Sequence, residues 1–492
     1  MVREFDVIVL GAGPVGENVA DRVRAAGLEV AVVEHELVGG ECSYWACVPS
    51  KTLMRSGSAL RAAQRVQGAA RAVDGSLDAA ATFARRNRFV SDWSDQGGQD
   101  WLAGAGIGLV RGHGRLDGTR RVVVTPSTGG ADEVLVARHA VAVCTGSEPM
   151  VPDIPGLAET RPWTSRDATS AQSAPGRLAI IGGGVVAAEM AAVYAGFGTD
   201  VTVLARSTML RGMEDFAGEA VTAGLRALGA TVRLGATPAQ VRREAGGEVV
   251  IALEDGTTVT ADEVLVATGR RARTEGIGVE TVGLESGGWI EVDETLAATS
   301  ATPVDPEAGA GDGGTEPWLY AVGDVTDRAL FTHQGKYQAR AAGDVIAARA
   351  LGRPVDDSPY GVHVATADHA AVPNIVFGDP EVAAVGLTAA RAEEAGLGVR
   401  VAEVPFASVS GAGILADGYE GTARLVIDDE RDVIVGATFV GQGVAELLHQ
   451  ATVAIVGEVP VRRLWHAVPA FPTLSEVWLR LLEADGRPEA RA

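Results

Sequence analysis

Short apolar runs that lead into glycine turns recur along this chain, and they predict strands of a buried parallel sheet. The first run, residues 7–10, is followed by glycines that begin at Gly11. The pattern then predicts a helix at 17–26 and a second strand at 30–33. Strand, turn, helix and strand in this order indicate one βαβ unit of an α/β protein.

The same arrangement occurs again near the middle of the chain. An apolar run at 178–181 leads into the glycines Gly182 and Gly184, and the pattern predicts a helix at 188–197 and a strand at 201–204. Two similar strands, 141–146 and 264–269, each end in a Thr-Gly turn. We therefore predict two Rossmann-like nucleotide-binding domains, formed by residues 1–150 with 275–360 and by residues 151–274.

The character of the sequence changes near residue 372. Strands with an antiparallel pattern and intervening helices predict a third domain of the α+β class at 365–492, without a nucleotide motif. The predicted strands are 372–377, 381–386, 423–427 and 433–440. Residues 302–317 are rich in glycine, proline and acidic residues and predict a flexible surface insertion.

Composition narrows the class of protein. The chain of 492 residues has a formal net charge of −22, which argues against a nucleic-acid partner because such binding depends on lysine and arginine. No apolar run approaches the length of a membrane helix, and the sequence shows no secretory signal. With only three cysteines, we expect a cytoplasmic protein without structural disulfides.

The first glycine turn matches G-x-G-x-x-G and is predicted to bind FAD. Glycines at Gly11, Gly13 and Gly16 let the backbone approach a pyrophosphate at a helix N-terminus, and Glu34 at the next strand end suits a ribose hydroxyl. A glycine turn without a ligand is the alternative. The other residues assigned to the flavin site are Gly40, Thr145, Gly146 and Asp324, the last of which suits a hydroxyl-rich flavin tail.

The second glycine turn is predicted to bind NADPH, with NADH as the alternative. Gly182, Gly184 and Gly269 form this site. At the position equivalent to the ribose-binding acid stands an alanine, followed by Arg206, whose guanidinium suits a 2′-phosphate. Arg206 as an ordinary surface residue is the competing interpretation, and Arg211 is a second candidate for the phosphate.

Residues 39–51 contain two cysteines, Cys42 and Cys47, directly after the first nucleotide unit. Cysteines beside a redox cofactor indicate a dithiol that the cofactor oxidises and reduces. A zinc site would need about four ligands, and no second cysteine or histidine cluster is present, so no metal site is predicted. Cys144 lies in an apolar run and is interpreted as a core residue.

The motif at 39–51, together with the two nucleotide units, resembles the pyridine nucleotide–disulfide oxidoreductases. In that family, which includes dihydrolipoamide dehydrogenase, glutathione reductase and mercuric reductase, G-G-x-C-x4-C-x-P-[ST]-K carries the redox disulfide. The resemblance implies that Cys47 faces the flavin and that Cys42 exchanges with substrate. It also implies that Lys51 lies near the flavin and pairs with Glu189, and that the last domain forms a homodimer.

One position departs from the family pattern. The thiol-exchanging members are expected to supply a histidine just before Pro-Thr, and here Phe471 occupies that position, although the later Glu476 matches. Losing a general acid/base typically costs about 10²–10⁴-fold in rate. His466, five positions upstream, could replace the missing base or could simply pack in the loop.

Three functions therefore remain open. The first is an FAD-dependent NAD(P)H oxidoreductase of the dihydrolipoamide dehydrogenase type, which passes electrons through a Cys42–Cys47 disulfide to a small-molecule disulfide. The second is a quinone or metal-ion reductase that needs no histidine base. The third is a redox-sensing or partner-binding flavoprotein. Mercuric reductases also have a C-terminal cysteine pair and an N-terminal metal-binding domain that this sequence lacks, so complete mercury detoxification is not expected.

Overall fold

The computed structural model of the chain describes residues 2–301 and 317–487, so the predicted insertion, apart from Pro317, lies outside the described residues. The chain divides into two units. The first unit comprises Met1–Val48, Asn87–Pro149 and Arg270–Asp368, and the second comprises Pro49–Arg86, Met150–Gly269 and His369–Ala492. Among the described residues, no helix has both the length and the apolar character needed to cross a membrane.

A six-stranded sheet forms the centre of the first unit. Val2–Leu10 pairs in parallel with Val30–Glu34 and with Glu133–Val143, which in turn pairs in parallel with Leu319–Ala321. The predicted apolar run at 7–10 is buried at the middle of this sheet. The remaining strands of the unit are Gly108–Leu116, Arg121–Pro126, Ser147–Pro149 and Arg270–Ala272.

The first helix of this unit begins earlier than the apolar pattern indicates. The helix predicted at 17–26 is Pro14–Ala25, because proline is well suited to the first helical position, where its missing N–H is no loss. The other helices that lie wholly in this unit are Gly40–Tyr44, Gln96–Ala105 and Thr332–Ala350, with 3₁₀ turns at Ser91–Trp93, Val279–Val282 and Asp324–Thr326.

The second unit contains the second predicted nucleotide-binding sheet. Arg177–Ile181 lies between Asp200–Ala205 and Glu263–Val266, and Thr231–Leu234 extends the sheet, with all strands parallel. A separate three-stranded antiparallel sheet consists of Pro238–Arg243, Val249–Leu253 and Thr258–Ala261. The helices here are Ser165–Ser170, Val185–Gly196 and Asp215–Ala227, with a 3₁₀ turn at Ala158–Thr160.

A five-stranded antiparallel sheet forms the C-terminal part of the second unit, and four of its strands lie where the sequence predicts them. Its strands are Asn374–Val376, Glu381–Gly386, Val433–Gly441, Thr422–Asp428 and Val399–Pro405, in spatial order. The apolar pattern missed Val399–Pro405, because this edge strand buries only Ala402 and so lacks a buried apolar face. The helices are Ala389–Glu394, Ser410–Leu415, Leu448–Val456, Val461–Leu464 and Val477–Asp485, with 3₁₀ turns at Phe406–Ser408, Ala445–Leu447 and Leu474–Glu476.

A buried arginine, Arg86, holds part of the second unit together. It lies on the helix Ala79–Phe89, one of two helices that contain a unit boundary, and its side chain is fully buried. The guanidinium donates to the carbonyl oxygens of Thr169 and Ala171, and it stacks 5.4 Å from the ring centroid of Phe83. The other helix that contains a boundary is Cys47–Gln64, and the short helix Gln67–Ala70 follows it.

We expect Arg86→Met to destabilise the protein by about 2–4 kcal/mol, because the buried carbonyl of Thr169 and the partly buried carbonyl of Ala171 would lose their guanidinium donor. Urea unfolding followed by circular dichroism measures the change. Arg88→Met, at an exposed position on the same helix, is the matched control and should change the free energy of unfolding by less than about 0.5 kcal/mol. Equal effects of the two substitutions would contradict this assignment.

Candidate active site

A cavity of about 360 Å³ opens in the first unit, where its parallel strands end. This is the edge at which open α/β sheets bind ligands, and the volume lies in the range of small-molecule sites. Most residues assigned to the flavin site from the sequence line it, as do Cys42 and Thr332. The assigned residues in the lining are Gly11, Gly13, Glu34, Gly40, Thr145, Gly146 and Asp324.

The first glycine turn has no space for a side chain at Gly11 or Gly16. A Cβ at Gly11, whose φ is +101°, would lie 2.5 Å from the carbonyl oxygen of Cys144, and a Cβ at Gly40 would lie 2.7 Å from the Cα of Gly13. Gly16 packs directly against the carbonyl of Gly11, although it does not line the cavity. These contacts hold the N-terminus of the helix Pro14–Ala25 towards the cavity.

Glu34 stands at the end of its strand and is buried. Its carboxylate accepts hydrogen bonds from the backbone amides of Ala12, at 2.8 Å, and Glu36, at 2.7 Å. The side chain therefore fixes the glycine turn from the neighbouring strand. Its predicted contact with a ribose stays a prediction.

A polar network that the sequence reasoning missed joins the redox motif to the cavity wall. Arg270 donates to Glu41, which directly precedes Cys42, at 2.9 Å, and to the hydroxyl of Ser147 at 2.6 Å. The Ser147 hydroxyl donates in turn to Asp324 at 2.6 Å. Burial raises the pKa of the Asp324 carboxyl, and the bond from Ser147 and the charge of Arg270 oppose that rise. A carboxylate inside the glycine–cysteine motif was the available signal for a nearby cation.

The two cysteines lie next to each other and are not joined by a disulfide bond in this structure. Cys42 is on the short helix Gly40–Tyr44, and Cys47 begins the helix Cys47–Gln64. A hydrogen bond with the Cys47 thiol, followed by burial, raises the pKa of the Cys42 thiol far above its usual range. The third cysteine, Cys144, is buried in the core as predicted, and burial raises the pKa of its thiol.

Lys51 and Glu189 form an ion pair in the second unit. Lys51 Nζ lies 2.8 Å from Glu189 Oε2, and Glu189 is only 3% exposed on the helix Val185–Gly196. The other carboxylate oxygen of Glu189 accepts from the backbone amide of Phe377 at 3.1 Å. The two residues are thus brought together as the family resemblance implied, while their catalytic role stays a prediction.

The second glycine turn repeats the geometry of the first. Gly182, whose φ is +138°, packs against the carbonyl oxygen of Ala267, which precedes the second Thr-Gly turn at Gly269. A Cβ at Gly184 would have no neighbour within 4 Å, so the backbone there is open to a ligand. Arg206 is exposed immediately after the strand Asp200–Ala205, at the position predicted for a 2′-phosphate.

The three C-terminal residues singled out in the sequence differ in their exposure to solvent. His466 is exposed, Phe471 is 75% exposed, and Glu476 is buried. The Glu476 carboxylate accepts from the backbone amides of Gly411, at 3.1 Å, and Thr473, at 3.3 Å, and it forms a capping box with Thr473. Glu476 therefore fixes the 3₁₀ turn Leu474–Glu476 that leads into the terminal helix, and a catalytic role for it stays a prediction.

Comparison with protein families identifies this arrangement. A model described as pyridine nucleotide-disulphide oxidoreductase matches residues 5–345, and one for the dimerisation domain of the same family matches residues 372–481. The chain belongs to the pyridine nucleotide-disulphide oxidoreductase family. The predicted family, the α/β fold with a C-terminal dimerisation domain, and the assignment as an enzyme are confirmed.

Similar proteins include two kinds of enzyme from this family. Mercuric reductase of Acidithiobacillus ferrooxidans is 33% identical over 479 residues, which cover 96% of this chain and 81% of that protein. Dihydrolipoyl dehydrogenase of Haloferax volcanii is 31% identical over 489 residues, covering 97% and 95% respectively. Among solved structures, the Cu(II) complex of the HOCl-induced flavoprotein disulfide reductase RclA from Escherichia coli has a TM-score of 0.81 and 23% identity, covering 98% of this chain and 99% of RclA. That likeness supports the fold.

Members of the family depend on FAD and use NAD(P)H as substrate. The residues of the cavity fit FAD, because a side chain at Gly13 would project into the cradle between the glycine turn and Gly40. The hydroxyl of Thr145 is buried beside the cavity and has no hydrogen-bond partner among the described residues. An unpaired buried hydroxyl is costly, and a bound polar ligand would satisfy it.

A half-buried carboxyl group, Glu17, lies in the first turn of the helix Pro14–Ala25. Burial raises the pKa of Glu17 to about 7, and nearby Lys336 opposes this rise. The folded protein therefore keeps this proton at pH values at which the unfolded chain has lost it, from about pH 4.5 to about pH 7. The stabilisation is complete below this window and is lost as the pH rises through it.

We expect Glu17→Gln to stabilise the protein by about 2 kcal/mol more at pH 8 than at pH 5, because the variant avoids the buried charge at the higher pH. Urea unfolding of the purified protein at both pH values measures the difference. Asp21→Asn, at an exposed position on the same helix, is the control and should show little pH dependence. A Glu17→Gln effect that is equal at both pH values would refute the raised pKa.

Proposed function

We propose that this chain is an NADPH-dependent flavoprotein reductase that delivers electrons through Cys42 and Cys47 to a thiophilic divalent metal cation. The observation that carries the proposal is the pair of adjacent, hydrogen-bonded thiols, of which Cys42 lines the cavity. The overall reaction would convert NADPH and either one cation that accepts two electrons or two cations that accept one each into NADP⁺, a proton and the reduced metal. The metal ion is here the substrate.

The cavity residues of the first unit would hold FAD. Gly11, Gly13 and Gly40 would admit the pyrophosphate, Thr145 would donate its unpaired hydroxyl, and Asp324 would accept from hydroxyl groups of the flavin tail. When bound, the flavin would take a hydride from the nicotinamide and supply the electron pair that reduces the Cys42–Cys47 disulfide.

The two cysteines would have different roles, as the family resemblance implies. Cys47 would face the flavin, and Cys42 would face the acceptor. Lys51 lies four residues after Cys47 on the same helix, so its ammonium group is on the same helical face and would stabilise an anionic sulfur. The ion pair with Glu189 would keep that ammonium group in place.

The protonation of Cys42 favours a metal acceptor. Thiol–disulfide exchange requires a thiolate, and the raised pKa of Cys42 leaves its thiol protonated near neutral pH. The family histidine that would remove the proton is replaced by Phe471. A thiophilic cation displaces the proton itself when it coordinates a thiol, so it needs no separate base. The similarity to mercuric reductases is consistent with such an acceptor.

A small-molecule disulfide such as lipoamide is the second candidate acceptor. The similarity to dihydrolipoyl dehydrogenases, which match this chain over nearly its whole length, supports this candidate. His466 is exposed five residues before Phe471 and would be the base in that case. This reaction would oxidise the protein dithiol to the disulfide and convert the substrate disulfide to two thiols.

The preference for NADPH rests on Arg206. Its exposed side chain follows the strand Asp200–Ala205, and the strand end has an alanine where an acid would bind the ribose of NADH. Arg211, which is also exposed, is the second candidate for the 2′-phosphate.

We further propose that the enzyme is a homodimer. The C-terminal region matches the dimerisation domain of the family and exposes several large apolar side chains, as interaction surfaces do. These are Ile414, Val453, Val468 and Phe471. A cytoplasmic location stays a prediction.

The acceptor is tested by following NADPH oxidation with Hg²⁺, Cu²⁺, lipoamide and a quinone. We expect the metal ions to be reduced faster than lipoamide, and Cys42→Ser to abolish turnover with both while NADPH still reduces the flavin. Phe471→His should raise lipoamide turnover by about 100-fold, because it supplies the missing base. Val468→His, at another exposed position of the same loop, is the control.

Two outcomes of that assay, and one of a separate absorption measurement on Cys47→Ser, would change the conclusion. Faster turnover of lipoamide than of the metal ions by the wild type would favour the second candidate. Quinone turnover that survives Cys42→Ser would show that electrons leave without this thiol. A cysteine thiolate beside oxidised flavin is expected to give a long-wavelength charge-transfer band in the NADPH-reduced protein, and if Cys47→Ser leaves that band intact, the pairing of Cys47 with the flavin is wrong.

Arg206→Ala should lower kcat/KM for NADPH by about 10- to 100-fold and leave kcat/KM for NADH unchanged, because only the 2′-phosphate loses a charged hydrogen bond. Steady-state kinetics with both nucleotides measure the change, and Arg211→Ala serves for comparison. A larger effect of Arg211→Ala would move the phosphate site to Arg211. A wild-type preference for NADH would overturn the assignment.

A further inference from the structure

Thr332 contacts both sulfur atoms of the redox pair. Its Oγ1 lies 3.4 Å from Cys47 Sγ, and the same hydroxyl is hydrogen-bonded to the thiol of Cys42. Thr332 also lines the cavity together with Cys42. No sequence motif marked this residue, which lies 285 positions after Cys47.

The position of Thr332 is fixed by the helix that it begins. Thr332–Ala350 is a helix of 19 residues whose electropositive N-terminus carries the hydroxyl. Gln334 and Gln338 donate to Asp368 at 2.6 and 2.9 Å, and Gln338 accepts from the backbone amide of Gly323 at 2.8 Å. These bonds to neighbouring segments anchor the first turn, so the hydroxyl has little freedom to leave the sulfurs.

A hydroxyl group in this position distinguishes the two redox states of the pair. In the dithiol it can accept from one S–H group and donate to the other sulfur, whereas oxidation removes both S–H donors and joins the sulfurs in a weakly accepting disulfide. The hydrogen bonds therefore favour the reduced state. A net contribution of about 0.5–1.5 kcal/mol for a hydrogen bond corresponds to an equilibrium shift of about 2- to 13-fold.

We propose that Thr332 stabilises the dithiol form of Cys42 and Cys47 and thereby sets the reduction potential of the pair. This inference rests on the proposed redox role of the two cysteines, but it does not depend on which acceptor they serve. Oxidation of the dithiol by glutathione disulfide forms the Cys42–Cys47 bond, and the two electrons and two protons appear in two molecules of glutathione.

The experiment equilibrates the holoenzyme with glutathione buffers of defined ratio, without NADPH, and traps free thiols by alkylation for mass spectrometry. We expect Thr332→Val to shift the equilibrium constant about three- to tenfold towards the disulfide. A tenfold shift corresponds to a potential about 30 mV more negative. Thr332→Ser keeps the hydroxyl and should behave as the wild type.

Thr222→Val is the matched control, because the Thr222 hydroxyl bonds to the Gly218 carbonyl of its own helix, and the substitution should leave the equilibrium unchanged. Thr332→Ala is measured alongside Thr332→Val, so that a second variant without the hydroxyl is at hand if valine disturbs folding. Flavin content and circular dichroism verify that each variant is folded.

Two failures can be told apart. If the wild-type cysteines never titrate as a two-electron couple, the proposed redox function is wrong. If the wild type titrates but the curves of Thr332→Val and Thr332→Ala coincide with it, the role of Thr332 is refuted. An equal shift in Thr332→Ser and Thr332→Val would also refute it, because packing rather than the hydroxyl would then set the potential.

Discussion

Both nucleotide units depend on one steric constraint, the direct contact of a glycine with the carbonyl that precedes a Thr-Gly turn. Gly11 lies against Cys144 in the first unit, and Gly182 lies against Ala267 in the second. Parallel pairing sets this contact, because Leu10 is opposite Val143 in the first sheet. With no side chain at the glycine, each following helix begins at the carboxyl end of its sheet, where the backbone amides of its first turn are free to meet a phosphate.

The cysteine motif at 39–51 packs directly against the first of these glycine turns. Gly40 packs against Gly13, so the helix that carries Cys42 starts at the wall of the cofactor cavity. This proximity places the carboxylate of Glu41 in the wall as well, and burying it without a cation would be costly. Arg270 supplies the cation and reaches Asp324 through Ser147. The position of the thiol and the polarity of the cavity are therefore set by one connected group of side chains.

Local patterns in the sequence were sufficient to predict the strands, helices and turns that depend on residues close together along the chain. The apolar runs, the glycine turns and the cysteine motif each lie within a few residues, and the structure has the strands and helices they indicate. The Glu41–Arg270 pair spans 229 positions and the Cys47–Thr332 contact spans 285, and no periodicity links residues so far apart. Arg86 shows the same limit, since one arginine in an arginine-rich segment is buried and its neighbours are not.

The C-terminal loop shows why a matching residue is weak evidence for a matching role. Glu476 occupies the place of the family glutamate, yet its carboxylate bonds to two backbone amides and caps the 3₁₀ turn Leu474–Glu476, which leads into the terminal helix. These hydrogen bonds alone give a reason for a glutamate at this position, whether or not a histidine base precedes it. Phe471 shares the loop but has no comparable contact, and its ring is largely exposed. The loop therefore has a physical reason to keep the carboxylate and none to keep an imidazole. An enzyme whose acceptor itself displaces the thiol proton would need no imidazole in this loop.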